Sequence, residues 1–218
     1  MVKFDNSAAK QWQRYVSSHD GEIRSCGVDS SGNPIFIGYA DYTPEKGIIL
    51  KYNSSGTIQW QRQLGHATHA LDSLGQALGC VDSSDNPIIA VAVDTTDRVV
   101  VAKYNSSGAI QWQREILTTA ACRIMGCATD SSDNIYVTAE IDGLTDTAVI
   151  LAKWNTSGTA QWQRKFTESS NDIKTNRHTS TYKCYEQLHV ESSDDICMTF
   201  YRVSDDKVYL AKLPNDGT

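Results

Sequence analysis

The tetrapeptide QWQR occurs at residues 11–14, 59–62, 111–114 and 161–164, so that Trp12, Trp60, Trp112 and Trp162 stand 48, 52 and 50 residues apart. A chain that repeats at this period builds its fold from one small unit used several times, and the period constrains every other reading of the sequence. Ahead of the later copies come LKYNSSGTI (50–58), AKYNSSGAI (102–110) and AKWNTSGTA (152–160), each a short apolar run ending in a polar turn. Asn, Ser and Gly supply the backbone conformations such a turn needs. A second hairpin lies midway in each unit: CGVDSSGNPIFIG (26–38), CVDSSDNPIIAVAV (80–93), CATDSSDNIYVTAEI (127–141) and a diverged HVESSDDICMTFY (189–201). Each unit therefore holds four strands, A to D.

Short β-branched runs separated by turns about every ten residues exclude a helical solenoid, whose apolar positions recur every three or four. The predicted fold class is all-β, and four-stranded units at this period read as the blades of a β-propeller, where radial stacking leaves each sheet only short, protected edges. One domain, 1–218, divides into repeats of about 1–14, 15–62, 63–114, 115–164 and 165–218. The segment KLPNDGT (212–218) aligns with KYNSSGT (51–57), whereas VKFDNSAAKQWQR (2–14) aligns with LKYNSSGTIQWQR (50–62). Four blades closed by the N-terminal QWQR strand is the expectation. The spare strand at Val2 to Asp5 leaves open the alternative that the ends pair with a neighbouring chain or belong to a longer array.

Within QWQR, alternation puts Trp60 and Arg62 on one face of strand D and Gln59 and Gln61 on the other. The segment AKYNSSGAIQW (102–112) resembles the tryptophan-docking motif of quinoprotein-type propellers. It matches at Ala102, Gly108 and Trp112, with Tyr104 where that motif has Asp and Ser107 where it has Thr. The resemblance implies a structural docking role for Trp12, Trp60, Trp112 and Trp162 and for the turn glycines Gly56, Gly108 and Gly158. VDSSGNPIFI followed by IILKYNSSGTIQWQR is also similar to a bacterial β-propeller repeat found in surface and secreted proteins, and to units in virion or tail-fibre proteins of marine tailed phages. That resemblance implies a phage virion component, and it specifies fold far better than function.

Charge and hydropathy narrow the partners. Twenty Lys and Arg against 26 Asp and Glu give a net charge of -6, without the clustered positive stripe that a nucleic-acid surface needs. No apolar stretch approaches the ~20 residues of a membrane-spanning helix. The first residues lack the apolar core of a secretory signal, so the expectation is a protein made in the cytoplasm or cut from a longer chain. The six cysteines show no CxxC pair and read as reduced, buried small residues. Cys122 and Cys127, with no ligand-spaced His nearby, do not suggest zinc.

The NSS and NTS triplets at 53–55, 105–107 and 155–157 fit a glycosylation sequon but recur at one turn position, and read as turn residues. DSSGN and DSSDN read as Asx-type turns, since calcium wants six to eight oxygens and a bidentate Glu. The non-repeating loops gather on the opposite end of the blades, where a rigid scaffold ordinarily carries recognition. They supply the candidate binding residues: Tyr42, the group His66, His69 and Asp72, Arg98, Arg123, and Lys174, Arg177, His178 and Tyr182 of the longest insertion. The first group has the side chains of a metal or acid–base site; the last would suit an anionic glycan or a protein partner. No catalytic motif is present, and neither metal nor cofactor is predicted. The expectation is a non-enzymatic structural or recognition module of a virion (tail fibre, appendage or capsid decoration), assembled in the host cytoplasm. Its partners would be other virion proteins and host-surface glycans, with homo-oligomers through the chain ends also open. The alternatives are an extracellular bacterial carbohydrate-binding propeller and a quinoprotein-like or glycan-active enzyme.

Overall fold

The computed structural model describes residues 1–15, 21–40, 46–65, 77–93, 98–118, 120–142, 147–167, 173–174, 188–202, 207–214 and 216, with backbone alone at 142, 147, 173–174, 200–202 and 207–209. The described residues form β-strands and turns without a helix. An N-terminal hairpin pairs β1 (Val2–Phe4) with β2 (Lys10–Gln13). Sheet I is β3 (Gly21–Val28), β4 (Pro34–Ala40), β5 (Lys46–Tyr52) and β6 (Ile58–Leu64). Sheet II is β7 (Ala77–Val81), β8 (Pro87–Val93), β9 (Arg98–Tyr104) and β10 (Ile110–Leu117). Sheet III is β11 (Cys122–Thr129), β12 (Ile135–Asp142), β13 (Thr147–Trp154) and β14 (Ala160–Thr167). All three are antiparallel meanders in chain order.

Sheet IV departs from this pattern. Both β15 (Ile173–Lys174) and β16 (Leu188–Val190) pair with β17 (Ile196–Arg202), at Tyr201–Arg202 and Ile196–Met198 respectively, while β18 (Lys207–Leu213) runs along all of it. The two short strands share one edge as a split strand A, and residues 175–187 are inserted between them. The insertion therefore interrupts a strand instead of linking two sheets, which the sequence pattern alone did not indicate.

The middle strands β8 and β9 read PIIAVAV and RVVVAKY and are buried nearly throughout, because sheet II is covered by sheet I on one face and by sheet III on the other. Ile49 packs with Ile89 and Val91 of sheet II, Val101 with Ile135 and Val137 of sheet III, and Leu151 with Leu188 and Met198 of sheet IV. The four inner strands β3, β7, β11 and β16 together line one cavity of about 290 Å³.

The joint beside sheet I differs from the ring expected. Strand β2 pairs with β1, and among the described residues β18 pairs with β17 alone. Trp12 and Met1 of the hairpin cover the face of sheet I that carries Ile48, Leu50 and Tyr52. Leu210, at the position of Ile49, Val101 and Leu151 (each at most 1% exposed), is 74% exposed. The reason is local: β1 and β18 carry the same strand pattern, and the one adjacent in the chain takes the edge of β2 at little loop-closure cost.

Candidate functional site

The repeated residues build the contacts between sheets. In all four QWQR strands the first Gln is a bulge: Lys51 faces Trp60 and Tyr52 faces Ile58, leaving Gln59 unpaired, and the same skip occurs at Gln11, Gln111 and Gln161. A bulge bends and re-aims the strand, and here it precedes the indole. Trp12, Trp60 and Trp112 lie over Gly56, Gly108 and Gly158 of the following sheet, whose φ angles are +80°, +81° and +78°. A Cβ at these glycines would sit 2.7–2.8 Å from an indole Cδ2. Each indole Nε1 donates to a carbonyl of the same turn, Ser54 at 3.1 Å, Ser106 at 3.1 Å and Thr156 at 3.0 Å. The arginine two residues on lies over its own indole ring and donates from Nε to the glycine carbonyl: Arg14 to Gly56, Arg62 to Gly108, Arg114 to Gly158. Trp162 carries Arg164 over its ring and meets Tyr136 edge-on at 6.0 Å. The equivalent turn position in the N-terminal hairpin is Ala8, at φ +61°.

A second device runs through the DSS turns. Asp29 Oδ1 accepts from the backbone N–H of Ser31 and Asn33, and Oδ2 meets Asn33 Nδ2 and, at 2.8 Å, Lys51 Nζ. Asp82 repeats this with Lys103 at 2.7 Å, both side chains at most 4% exposed. Asp130 faces Lys153 at 3.5 Å and accepts from Tyr136 Oη at 2.9 Å. Burial alone would raise the Asp29 carboxyl, but Lys51 and Asn33 outweigh it and hold the pKa at about 2. Burial and the Asp130 hydrogen bond push the Tyr136 phenol up. The next Ser of each turn clamps the following sheet: Ser30 donates through N and Oγ to Asp85, Ser83 to Asp133, Ser131 to Asp194. These three aspartates sit at φ 59–65°, where Gly32 occupies the same place in sheet I. The NSS turns are Asx turns, with Asn53 and Asn105 Oδ1 accepting from the backbone two and four residues on.

Most candidate binding residues, Tyr42, His66, His69, Asp72, Arg177, His178 and Tyr182, lie outside the described residues. Arg98 and Arg123, read as loop residues, stand on strands. Arg98 opens β9 and its Nη1 meets Glu115 at 2.8 Å, while Arg123 on β11 is directly opposite Glu140 of β12. Lys174 lies on β15. Pattern reading ended strands where alternation faded; the pairing extends them further.

Sequence reasoning missed the buried lysines and the serine clamps, although both recur at fixed positions and the recurrence was a usable signal. It also missed the cavity, which Cys80, Cys127, Ser25, Thr129 and His189 line together with Leu188. Among the described residues no three His, Cys, Asp or Glu side chains converge as metal ligands, and no helix is long and apolar enough to cross a membrane. No protein-family model matches the chain, and no curated protein is significantly similar to it.

Proposed function

We propose that the sheets are the blades of a β-propeller and that the protein is a non-enzymatic structural and recognition module, acting as a component of a phage virion. What carries the reading is the use of the repeated motif: indoles, arginines, turn glycines and aspartates are engaged between sheets, which leaves recognition to the loops that do not repeat. The shared cavity between β3, β7, β11 and β16 supports radial stacking. The exposed Leu210 and the edge of β18 that no other described strand pairs support assembly with a second copy. In that assembly β18 of one copy takes the edge of β2 in the next, displacing β1, and completes the fourth blade.

The experiment is immuno-electron microscopy of phage particles from an infection in which this chain is expressed, with an antibody raised against it. Labelling of an appendage or the capsid surface is expected; protein found in the lysate but absent from purified particles overturns the virion reading. Replacing residues 175–187 with a short Gly–Ser linker is expected to keep the protein folded while reducing particle attachment to host cells. Unchanged attachment removes that loop from the recognition surface. Light scattering tests the assembly: Leu210→Asp is expected to reduce a concentration-dependent oligomer to a monomer, and a wild-type protein that is monomeric at all concentrations refutes it.

A further inference from the structure

Two cysteines meet at the cavity that β3, β7, β11 and β16 share. Cys80 on β7 and Cys127 on β11 belong to different sheets, yet their Sγ atoms stand 3.3 Å apart, the one thiol–thiol contact among the described residues. Both are half-buried and both line the cavity at the meeting of the inner strands, so a small reagent entering that cavity meets the two sulfurs together. The other described cysteines are placed differently. Cys122 is 1% exposed and donates to the Arg98 carbonyl, Cys197 donates to Glu191, and Cys26 is exposed.

We propose that Cys80 and Cys127 are a redox-active dithiol that closes to a disulfide, covalently stapling sheet II to sheet III across the central cavity. A disulfide needs the sulfurs at about 2.05 Å, so closure asks each side chain to move by well under 1 Å along the existing contact. The oxidant is a low-molecular-weight disulfide. One cysteine loses its proton and its thiolate attacks the reagent's S–S bond, forming a mixed disulfide and releasing one reagent thiolate. The second cysteine, deprotonated in turn, attacks the protein-bound sulfur; the protein S–S bond forms and a second reagent thiolate leaves. Two electrons pass to the reagent, and the two protons lost by the cysteines end on its two thiols. Contact with Cys127 and burial raise the Cys80 thiol above its ordinary range, so reaction is slow at neutral pH and faster in mild alkali.

The test is to incubate the full chain with oxidised glutathione at pH 7 and 8.5, then alkylate it and map the peptides without reduction. The expected product is two hydrogens lighter, its alkylatable thiols fall from six to four, and one cross-linked peptide pair contains Cys80 and Cys127. The cross-link should raise the melting midpoint by roughly 5–10 °C, reversed by dithiothreitol. It should survive Cys26→Ser and vanish in Cys80→Ser and Cys127→Ser. The wild-type peptide map decides the matter even where a variant folds poorly. Recovery of Cys80 and Cys127 as free thiols, as separate glutathione adducts, or in bridges to other cysteines would overturn the proposal.

Discussion

Replacing Gly108 by alanine separates two costs that glycines in this fold carry. The residue sits at φ +81° with Trp60 Cδ2 at 2.8 Å and Cε2 at 3.1 Å from the new Cβ. Left-handed backbone alone costs a non-glycine residue roughly 1 kcal/mol. Carbon atoms pack at about 3.5–4.0 Å, so the indole must also retreat by nearly 1 Å, loosening its bond to Ser106 and that of Arg62 to the Gly108 carbonyl. Each of those contributes about 0.5–1.5 kcal/mol, bringing the total to about 2–4 kcal/mol. Gly32 is the control, because at φ +76° an added Cβ there meets nothing within 4 Å, and Gly32→Ala is expected to cost about 1 kcal/mol. Thermal unfolding followed by circular dichroism should separate the two variants by about 3–8 °C. In a Trp60→Ala background Gly108→Ala should shrink to the backbone cost alone. Equal destabilisation by the two glycine variants would refute the docking argument.

Three further outcomes follow from the same geometry. Lys103→Met leaves the Asp82 carboxylate buried at 0% exposure without its cation and should cost about 3–5 kcal/mol in urea unfolding; adding Asp82→Asn should recover part of it. Asp29 has a folded pKa near 2 against 3.8 in the unfolded chain, so its contribution, on the order of 1–2 kcal/mol, is fully present above about pH 4 and lost as pH falls toward 2. A stability profile flat between pH 4 and 2 would contradict this. Asp133→Gly and Asp133→Ala both remove the Ser83 clamp, but glycine also relieves the φ of 59°, so the glycine variant should melt above the alanine one.

Local physics made much of this protein readable in its sequence. Asn53 and Asp29 adopt the turn conformations their side chains favour, Gly56 the left-handed one that its missing Cβ permits, and runs such as PIIAVAV are strands because they are short, apolar, rich in Ile and Val and bounded by those turns. The candidate loop site was less legible: Arg98 and Arg123 proved to be strand residues, since polar side chains at strand ends look like loop in a pattern. Tertiary structure alone decided the contacts between units. That β2 takes β1 and not β18 could not be read from two strands of the same pattern. Nor could the sulfur contact of Cys80 with Cys127, or the split inner strand on either side of residues 175–187. The QWQR repeat fixed how each unit folds, because its turns and alternation act within a few residues. Which unit meets which depends on contacts 42–63 residues apart, where only packing chooses.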